Sequence, residues 1–419
     1  MLAKKSQNVD SMRNFNRASV MKLVLENPGI DRSRLANKTG LTNAAMTRIV
    51  QELLNVDLLK ETGSLKLKQG RGRRSTGLEI NTKGGYVLGL SILASNTSVA
   101  LTDISGAEIA SVSVQPSDLS DAKCTLDEIS AAALKMVDDQ KIRRDQVLTA
   151  GVAIAGYLDV EGVLWLHSPY LRWPPFDVRN SLEKRLGVPI TVENVNRCVA
   201  VAETRIGCCA GMTDIFLVRV GLGLGVATIS NGKIIRGHNN TAGQIGHFPA
   251  GQDGAMCSCG KSDCITMVAS GWAILDQLGL RSAMVDGVFG IEDQDEKLRL
   301  VLKESLSDKK IMQVVQGAGS ALGSHCVAML RAIDPQRILL TGPVGRSSIF
   351  GKAFCKQLSE SAIMTKVITA NDQSIFSPAI AASALSLAEN IYSPTFNVEK
   401  LLIEKSHKKN TIENTGEFI

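Results

Sequence analysis

A short segment that combines histidine, cysteine and glycine constrains this chain more than any other. A Gly-Gln-Ile-Gly-His run is followed ten residues later by cysteines in the spacing C-x-C-x4-C. One imidazole and three thiolates form the four-ligand shell of a closed tetrahedral Zn²⁺ site, which leaves no position for a reactive water. The spacing favours a structural zinc strongly over the alternative, three core cysteines near an unrelated histidine. The predicted ligands are His247, Cys257, Cys259 and Cys264.

The composition is that of an ordinary globular protein. With 419 residues, 44% of them hydrophobic, the chain has material for two or three domains. It has no unbroken apolar run of about 18 residues, which a membrane helix would need, and its first residues lack the apolar core of a secretory signal. Nine scattered cysteines, an odd number, are not typical of a disulfide framework. We therefore expect a cytoplasmic protein without a membrane partner.

The positive charge is concentrated at the start of the chain. The first 85 residues carry 16 Lys and Arg against 7 Asp and Glu, a net charge of +9, whereas the remainder has a net charge of −3. Such asymmetry is typical of a terminal module that binds nucleic acid, although a solvated charged face would give the same count.

This basic region has the pattern of a helix-turn-helix. Asp31 is suited to cap a short helix that ends at Gly40, and Thr42 is suited to cap the next. On that second helix, apolar residues recur at the i, i+3, i+4, i+7 spacing of a buried stripe. The stripe consists of Met46, Ile49, Val50, Leu53 and Leu54. Two helices joined by so short a turn indicate a DNA-binding module.

The opposite face of the second helix carries side chains suited to reading bases. In the major groove, asparagine and glutamine match adenine and arginine matches guanine. The alternative is a small helical bundle with a polar outer face. The candidate DNA-binding residues are Asn43, Ala44, Thr47, Arg48 and Gln51.

A glycine-rich basic hairpin follows the two helices. Predicted strands at 58–61 and 77–80 flank a run that contains Gly70 and Gly72. Arginines on a flexible hairpin can lie along phosphates or enter a narrow minor groove. A solvated loop without function is the alternative. The candidate contacts are Arg71, Arg73 and Arg74.

Beyond residue 85 the pattern changes to strands alternating with helices. A helix is predicted near 126–137, and Asn231-Gly232 predicts a tight hairpin turn inside a second set of strands that begins like the first. Periodicity alone therefore predicts an α/β body. The predicted strands are 86–92, 98–103, 108–114, 215–220, 226–230 and 233–236.

The cysteine segment, together with the helix-turn-helix and its basic hairpin, resembles the ROK family of sugar kinases and transcriptional repressors. The resemblance implies the α/β class, with an N-terminal winged helix-turn-helix joined to a two-lobed actin-like ATPase (ribonuclease H-like) fold. It also implies dimers or tetramers. The expected divisions are a flexible arm at 1–14, the winged helix at 15–82, a first lobe at 83–195, a second lobe with the zinc site at 196–392, and a tail at 393–419.

The groups that ROK kinases use for phosphoryl transfer are replaced in this sequence. Where their first phosphate loop reads Asp-Ile-Gly-Gly-Thr, residues 91–97 read Ser-Ile-Leu-Ala-Ser-Asn-Thr, without a carboxylate for Mg²⁺. Val195 stands at the place of the catalytic aspartate and cannot accept a proton. A Gly-x-Gly-x-Gly loop at 221–225 remains, which is weak evidence by itself. We therefore expect no catalytic residue and no enzyme.

The same resemblance implies a sugar site that is only partly retained. Asn194 and His247 match family positions that hold a sugar, whereas Val195, Gln244 and Thr266 replace carboxylates. Carboxylates are the strongest acceptors for sugar hydroxyls, so their loss weakens the case for a ligand. The candidate effector-binding residues are Asn194, Gln244 and His247; alternatively, Asn194 and Gln244 only satisfy buried backbone groups.

The predicted function is a sequence-specific DNA-binding regulator. The family resemblance favours a repressor of carbohydrate uptake or catabolism genes. Its kinase-like body would serve oligomerisation and the sensing of a sugar or sugar phosphate. A two-fold dimer matches a palindromic operator in double-stranded DNA. The alternatives are a sugar kinase that carries a DNA-binding arm, and a regulator that answers to a protein partner.

Overall fold

The computed structural model describes residues 2–64, 76–93, 97–168, 171, 173–251, 255–282, 284–285, 288–289, 294–369, 376–396, 398 and 401. No helix in these ranges is long and apolar enough to cross a membrane. An N-terminal winged helix precedes two lobes, each of which is built on a five-stranded sheet.

The winged helix joins three helices to a small antiparallel sheet with the order β1-β3-β2. Its first helix begins at Leu2, so it includes residues 2–14 of the segment 1–14 for which the sequence suggested a flexible arm. Two arginines of this helix, Arg13 and Arg17, are tied to the third helix by ion pairs. The elements are α1 (Leu2–Glu26), β1 (Ile30–Asp31), α2 (Arg32–Thr39), α3 (Asn43–Asn55), β2 (Leu59–Ser64) and β3 (Thr76–Ile80).

The predicted caps of α2 and α3 are confirmed. The Asp31 carboxylate accepts a hydrogen bond from the Arg34 amide at 2.9 Å, and the Thr42 hydroxyl accepts one from the Ala45 amide at 3.2 Å. Gly40 ends α2 in the left-handed region with φ of 71°, a conformation that costs glycine little. The left-handed Gly40 and the Thr42 side-chain cap therefore fix the two ends of the turn that orients α3.

In the first lobe, an antiparallel meander is extended by two parallel strands, giving the order β11-β7-β4-β5-β6. A second, three-stranded sheet has the order β10-β9-β8. The elements are β4 (Tyr86–Ile92), β5 (Ser98–Asp103), β6 (Glu108–Ser113), α4 (Ala122–Asp139), β7 (Val147–Ile154), β8 (Tyr157–Leu158), β9 (Leu164–His167), β10 (Phe176–Asp177), α5 (Val178–Leu186), β11 (Ile190–Asn194) and α6 (Val195–Arg205).

The second lobe repeats this plan, with the sheet order β14-β13-β12-β17-β18. Asn231 and Gly232 form its hairpin turn with φ of 50° and 71°, as predicted. The elements are β12 (Ile215–Val220), β13 (Leu224–Ser230), β14 (Lys233–Ile234), α7 (Thr266–Ala269), α8 (Gly271–Gln277), β15 (Met284–Val285), β16 (Val288–Phe289), α9 (Gln294–Glu304), α10 (Lys309–Ile333), β17 (Arg337–Thr341), α11 (Gly342–Gly345), α12 (Ser348–Glu360) and β18 (Val367–Thr369).

Helix α13 (Pro378–Ser386) returns to the first sheet. Glycines make the close approach possible, because a Cβ at Gly89 or Gly151 would strike the carbonyl oxygen of Ala379 or Ala382. The range 196–392 expected for the second lobe therefore differs from the structure at its end.

After α13, a π-helical turn (Leu387–Ile391) leads the chain to the winged helix. Leu387, Ile391 and Val398 are buried in the same apolar cluster as Met21 and Leu53 of the DNA-binding domain. The tail predicted at 393–419 thus begins with residues that pack, whereas 402–419 lie outside the described residues. Burial of apolar side chains accounts for this docking.

Candidate functional site

The recognition face of α3 is exposed over its whole predicted length. Met46, Ile49, Val50 and Leu53 are buried, and Leu54 is half-buried. The five DNA-binding residues predicted on α3 all lie on its exposed side; they are Asn43, Ala44, Thr47, Arg48 and Gln51. The Arg48 guanidinium lies 3.9 Å from Glu52, and its side chain remains 68% exposed, so it is free to extend from the surface.

A buried ion cluster ties α3 to α1, which sequence reasoning missed. Arg17, only 3% exposed, donates to Glu52 at 2.9 Å through its Nε, and Arg13 donates to the other oxygen of the same carboxylate. Burial alone would raise the pKa of Glu52, but the hydrogen bonds and charges of Arg13 and Arg17 outweigh it and lower that pKa. These contacts fix the angle at which the recognition helix is presented.

The basic hairpin predicted to contact DNA lies between β2 and β3. Its arginines, Arg71, Arg73 and Arg74, lie outside the described residues. The flanking strands pair in antiparallel register, Leu59 opposite Ile80 and Ser64 opposite Thr76. The two strands that a wing connects in a winged helix are therefore present on either side of this segment.

The four predicted metal ligands come together. Their side-chain donor atoms all lie within 4.8 Å of one another. Cys257 Sγ is 3.6 Å from His247 Nδ1, and Cys259 Sγ is 3.3 Å from Cys264 Sγ. Burial raises the pKa of the Cys264 thiol, and a bound cation would supply the charge that stabilises its thiolate. The donor set therefore fits a tetrahedral zinc ion.

Backbone contacts bring these ligands into position. Gly260, with φ of 84°, turns the cysteine loop, and its amide donates to the Cys257 carbonyl at 2.9 Å. Pro249 and Cys264 form an isolated antiparallel bridge, which places the last cysteine beside the histidine turn. The loop thus closes on itself next to the cleft.

A cleft of about 620 Å³ is lined by residues from both lobes. The first lobe contributes Tyr157 and Asn194, and the second contributes Gln244, His247 and the glycine loop at 221–225. A cavity of this size is typical of small-molecule sites.

The predicted effector residues differ in how many of their hydrogen-bonding groups are available to a ligand. Both polar atoms of the Asn194 side chain already have a partner in the protein, because its Oδ1 accepts from the Asn196 amide at 2.9 Å and its Nδ2 donates to Gly156 O at 3.1 Å. Gln244 is half-buried, and its side chain has no hydrogen-bond partner among the described residues. His247 lines the cleft as well as the cysteine cluster. Gln244 is thus the best placed of the three to bind a hydroxyl.

Two of the three positions at which the family resemblance implies carboxylates, 195 and 266, line the cleft with a valine and a threonine. Val195 is 5% exposed. The Thr266 hydroxyl donates to Gly246 O at 2.7 Å, so it serves the backbone. The glycine loop also contacts the protein around it. The Gly221 carbonyl accepts a hydrogen bond from the Gly271 amide at 2.8 Å, and a Cβ at Gly225 would meet the Asn196 side chain. In the first phosphate loop, Ser91 to Leu93 are buried and 94–96 lie outside the described residues.

Beside the cleft is a charged network that the sequence did not reveal. The buried carboxylate of Glu193 accepts from Arg197 at 3.0 Å and from Arg236 at 2.7 Å. Arg236 also donates to Glu389 at 2.7 Å. The four-residue spacing of Glu193 and Arg197 is a weak signal, and no local pattern links the other two residues to them.

The sequence profile described as "ROK family" matches residues 87–388, most of the chain. The chain belongs to the ROK family. The remaining residues at its start include the whole winged helix, which extends the ROK body with a DNA-binding fold.

ROK relatives with assigned roles are similar over most of their length. The xylose repressor of Caldicellulosiruptor bescii is 22% identical over 357 residues, covering 83% of this chain and 87% of the repressor. The DNA-binding transcriptional dual regulator NagC of Escherichia coli is 25% identical over 338 residues, covering 80% and 82%. The E. coli repressor Mlc is 25% identical over 348 residues, covering 81% and 84%.

Solved structures share the fold. A ROK family transcriptional regulator described as a homologue of E. coli Mlc superposes with a TM-score of 0.76 at 21% identity, covering 94% of this chain and all of that one. A ROK glucokinase from Streptomyces griseus, solved with glucose and AMPPNP, gives a TM-score of 0.58 at 22% identity, covering 72% of this chain and 99% of the kinase. The regulator thus matches the winged helix as well as the body.

Proposed function

We propose that this ROK protein is a sequence-specific DNA-binding transcriptional regulator, a repressor of carbohydrate uptake or catabolism genes. The observation that carries the proposal is the exposed polar face of α3, presented by a capped winged helix on a ROK body. Relatives named as repressors or regulators of xylose and N-acetylglucosamine genes support it, since their similarity covers at least 80% of this chain.

The DNA contacts divide by position. Asn43, Ala44, Thr47, Arg48 and Gln51 read base edges in the major groove, and Arg71, Arg73 and Arg74 contact phosphates or the minor groove from the wing. A homodimer or homotetramer presents two such helices to a palindromic operator, because one recognition helix gives too little specificity. The winged helix, assigned to residues 15–82 from the sequence, also takes in the start of α1 from Leu2.

The body senses a small molecule and does not transfer phosphate. With Val195 in place of the base and no carboxylate in the first phosphate loop, the cleft lacks the groups that phosphoryl transfer requires. Gln244 and His247, with Asn194 on the opposite lobe, would hold a sugar or sugar phosphate. Control by a protein partner is the competing possibility, favoured by the engaged side chains of Asn194 and Thr266.

The cysteine cluster holds a structural zinc ion. His247, Cys257, Cys259 and Cys264 supply a complete shell, so the ion closes the loop and fixes the turn that carries Gln244. Losing the ion would loosen one wall of the cleft.

Selection from genomic DNA tests the proposal. The purified chain is incubated with fragmented genomic DNA at about 0.15 M salt, and the bound pieces are sequenced, in parallel with Arg48→Ala and a control, Lys135→Ala, whose side chain pairs with Asp139 on α4. Discrete palindromic sites that depend on Arg48 support a regulator. Uniform, salt-sensitive recovery would overturn specific recognition.

Two further assays separate the alternatives. A coupled assay of ADP release with glucose, xylose and N-acetylglucosamine tests for kinase activity. Steady turnover would overturn the proposal that this regulator has no enzymatic activity. Calorimetry with the same sugars and their 6-phosphates or 5-phosphates tests sensing. A chain that binds operator but gives no heat with any sugar would favour a protein partner.

A further inference from the structure

Arg236 joins two carboxylates that belong to different parts of the molecule. It follows β14, and its Nε donates to Glu193 Oε2 at 2.7 Å. Its terminal nitrogen donates to Glu389 Oε1, also at 2.7 Å. Glu193 is the penultimate residue of β11 and lines the cleft, whereas Glu389 lies in the π-helical turn that leads to the winged helix. One side chain thus bridges the cleft and the C-terminal segment.

On the cleft side, the bridge is part of the segment that carries Gln244. Arg197 donates to Asn240 O at 3.0 Å and to Ala242 O at 2.9 Å, and Asn240 Nδ2 donates to Asp159 O at 2.8 Å. Both Asn240 and Ala242 line the cleft. A molecule that binds there and shifts this segment must therefore move Arg236 as well.

On the DNA-binding side, the π-helical turn touches both the first sheet and the winged helix. Asn390 donates to the hydroxyls of Thr149 and Thr191 on the sheet at 3.0 and 2.8 Å. Ile391 is buried in the cluster that contains Met21 of α1. Single π-helical turns inside helices occur frequently at functional sites. A displacement of Glu389 is thus felt directly by the support of the recognition helix.

Burial decides which contact of the network can open. The side chains of Glu193 and Arg197 are 3% and 5% exposed, so breaking their pair would strand a buried charge. Arg236 and Glu389 are each 40% exposed, and water can replace their partner at little cost. The Arg236–Glu389 pair is therefore the link that a ligand could release.

We propose that Arg236 is a positioning residue that transmits the state of the cleft to the winged helix. With the cleft empty, it holds Glu389 and keeps the DNA-binding domain seated on the body. A ligand that moves residues 236–243 releases Glu389 and loosens that seat. The inference rests on the proposed function of the chain as a ligand-responsive regulator.

Hydrogen exchange on the full chain, without DNA or sugar, tests the connection independently of that function. Arg236→Ala leaves Glu193 paired with Arg197, so the variant is expected to fold, and Glu389→Gln removes the other partner. We expect amides in Leu387–Ile391 and in the C-terminal half of α1 to exchange several-fold faster in each variant, with the double variant no faster than either single one. Acceleration confined to residues 236–243 would overturn the proposal.

Two variants sharpen this comparison. Arg185→Ala breaks a pair with Asp127 at 2.7 Å on the far side of the first lobe and should leave the winged helix unchanged. Arg236→Lys keeps the charge but reaches one carboxylate at a time, so it should give intermediate exchange. Equal acceleration by Arg185→Ala would indicate general destabilisation and overturn the specific role.

The effect of sugar on operator affinity is a measurement that a purely structural role of Arg236 would leave unchanged. The affinity is measured with and without saturating xylose, glucose, N-acetylglucosamine or N-acetylglucosamine 6-phosphate. If one of them weakens wild-type binding, Arg236→Ala should bind about tenfold more weakly without sugar and respond less than threefold to it. An unchanged response would overturn the proposal. If the wild type selects no operator, the proposed function is contradicted instead. The hydrogen-exchange experiment then tests by itself whether Arg236 is connected to the winged helix.

Discussion

Arg17 of the first helix and Glu52 of the recognition helix are joined by a 2.9 Å hydrogen bond, and Arg17 is 3% exposed. Arg13 approaches the same carboxylate. Water is a poor substitute for two arginines that donate hydrogen bonds to one carboxylate. These contacts therefore set the position of the DNA-reading surface.

Replacing Glu52 should therefore destabilise the winged helix in a pH-dependent way. We expect Glu52→Ala to lower the free energy of unfolding by about 2 kcal/mol at pH 7, measured by urea denaturation. The folded-state pKa of Glu52 is lowered below its usual 4.5, so its contribution is complete above that pH and is lost as the pH falls through the folded value. Glu61→Ala, which removes an exposed pair with Arg32, serves as the control and should cost under about 1 kcal/mol.

Glu203 should produce the opposite pH dependence. Burial and the neighbouring Cys208 raise the pKa of this carboxyl to about 8. The folded chain keeps the proton up to that pH while the unfolded chain releases it near 4.5, so this group lowers stability as the pH rises between the two values. Glu203→Gln should then gain stability relative to the wild type from pH 5 to pH 8, by up to about 1.4 kcal/mol per pH unit. A constant difference across this range would contradict the buried protonated carboxyl; exposed Glu26→Gln is the control.

The recognition helix should tolerate the loss of Arg48 structurally but not functionally. Its side chain is exposed, so Arg48→Ala should leave the melting temperature within about 2 °C. Affinity for the selected operator should fall about tenfold or more, with preference lost at one base pair. Fluorescence anisotropy on the operator and on single-base variants measures both. Equal weakening on every sequence would indicate a phosphate contact.

The cysteine cluster should contain one zinc ion per chain. Mass spectrometry of metal content is expected to show stoichiometric zinc, lost in Cys259→Ser, and chelation should lower the thermal midpoint. Cys355→Ser, a half-buried cysteine on α12, is the matched control and should retain the ion. Zinc retained at full stoichiometry in Cys259→Ser would contradict the assigned ligand.

Two glycines should respond oppositely to alanine. At Gly89 the added Cβ would collide with the Ala379 carbonyl, so Gly89→Ala should push α13 from the sheet and cost about 1–3 kcal/mol. Gly317 lies in the interior of α10 with no atom within 4 Å of the added Cβ, so Gly317→Ala should stabilise the chain by about 0.5–1 kcal/mol. Thermal denaturation compares the pair, and similar effects of the two changes would contradict the packing of α13.

What the sequence predicted is what local patterns determine. Asp31, Gly40 and Thr42 mark helix ends because capping involves neighbours within a few residues. The cysteine cluster is likewise local, since its ligands lie within 18 residues and share one loop. The antiparallel strands that open each lobe followed from alternation and hairpin turns, whereas the parallel strands β7, β11, β17 and β18 were not predicted.

What the sequence could not predict depends on contacts between distant residues. Arg236 and Glu389 are 153 positions apart, and neither lies in a motif. The return of α13 depends on space left by Gly89 and Gly151, which is apparent only when the sheet is assembled. The polar effector residues were found from family positions, but their hydrogen bonds to the backbone, such as those of Asn194, needed the fold.

The packing of Ile391 and Val398 against Met21 also has a consequence during synthesis of the protein. On the ribosome, the winged helix emerges hundreds of residues before the segment that completes its core. A nascent or truncated chain therefore presents apolar surface on α1 and α3, where it is prone to degradation or association. Leu387, Ile391 and Val398 cover that surface, so only chains that include these residues acquire a fully supported recognition helix.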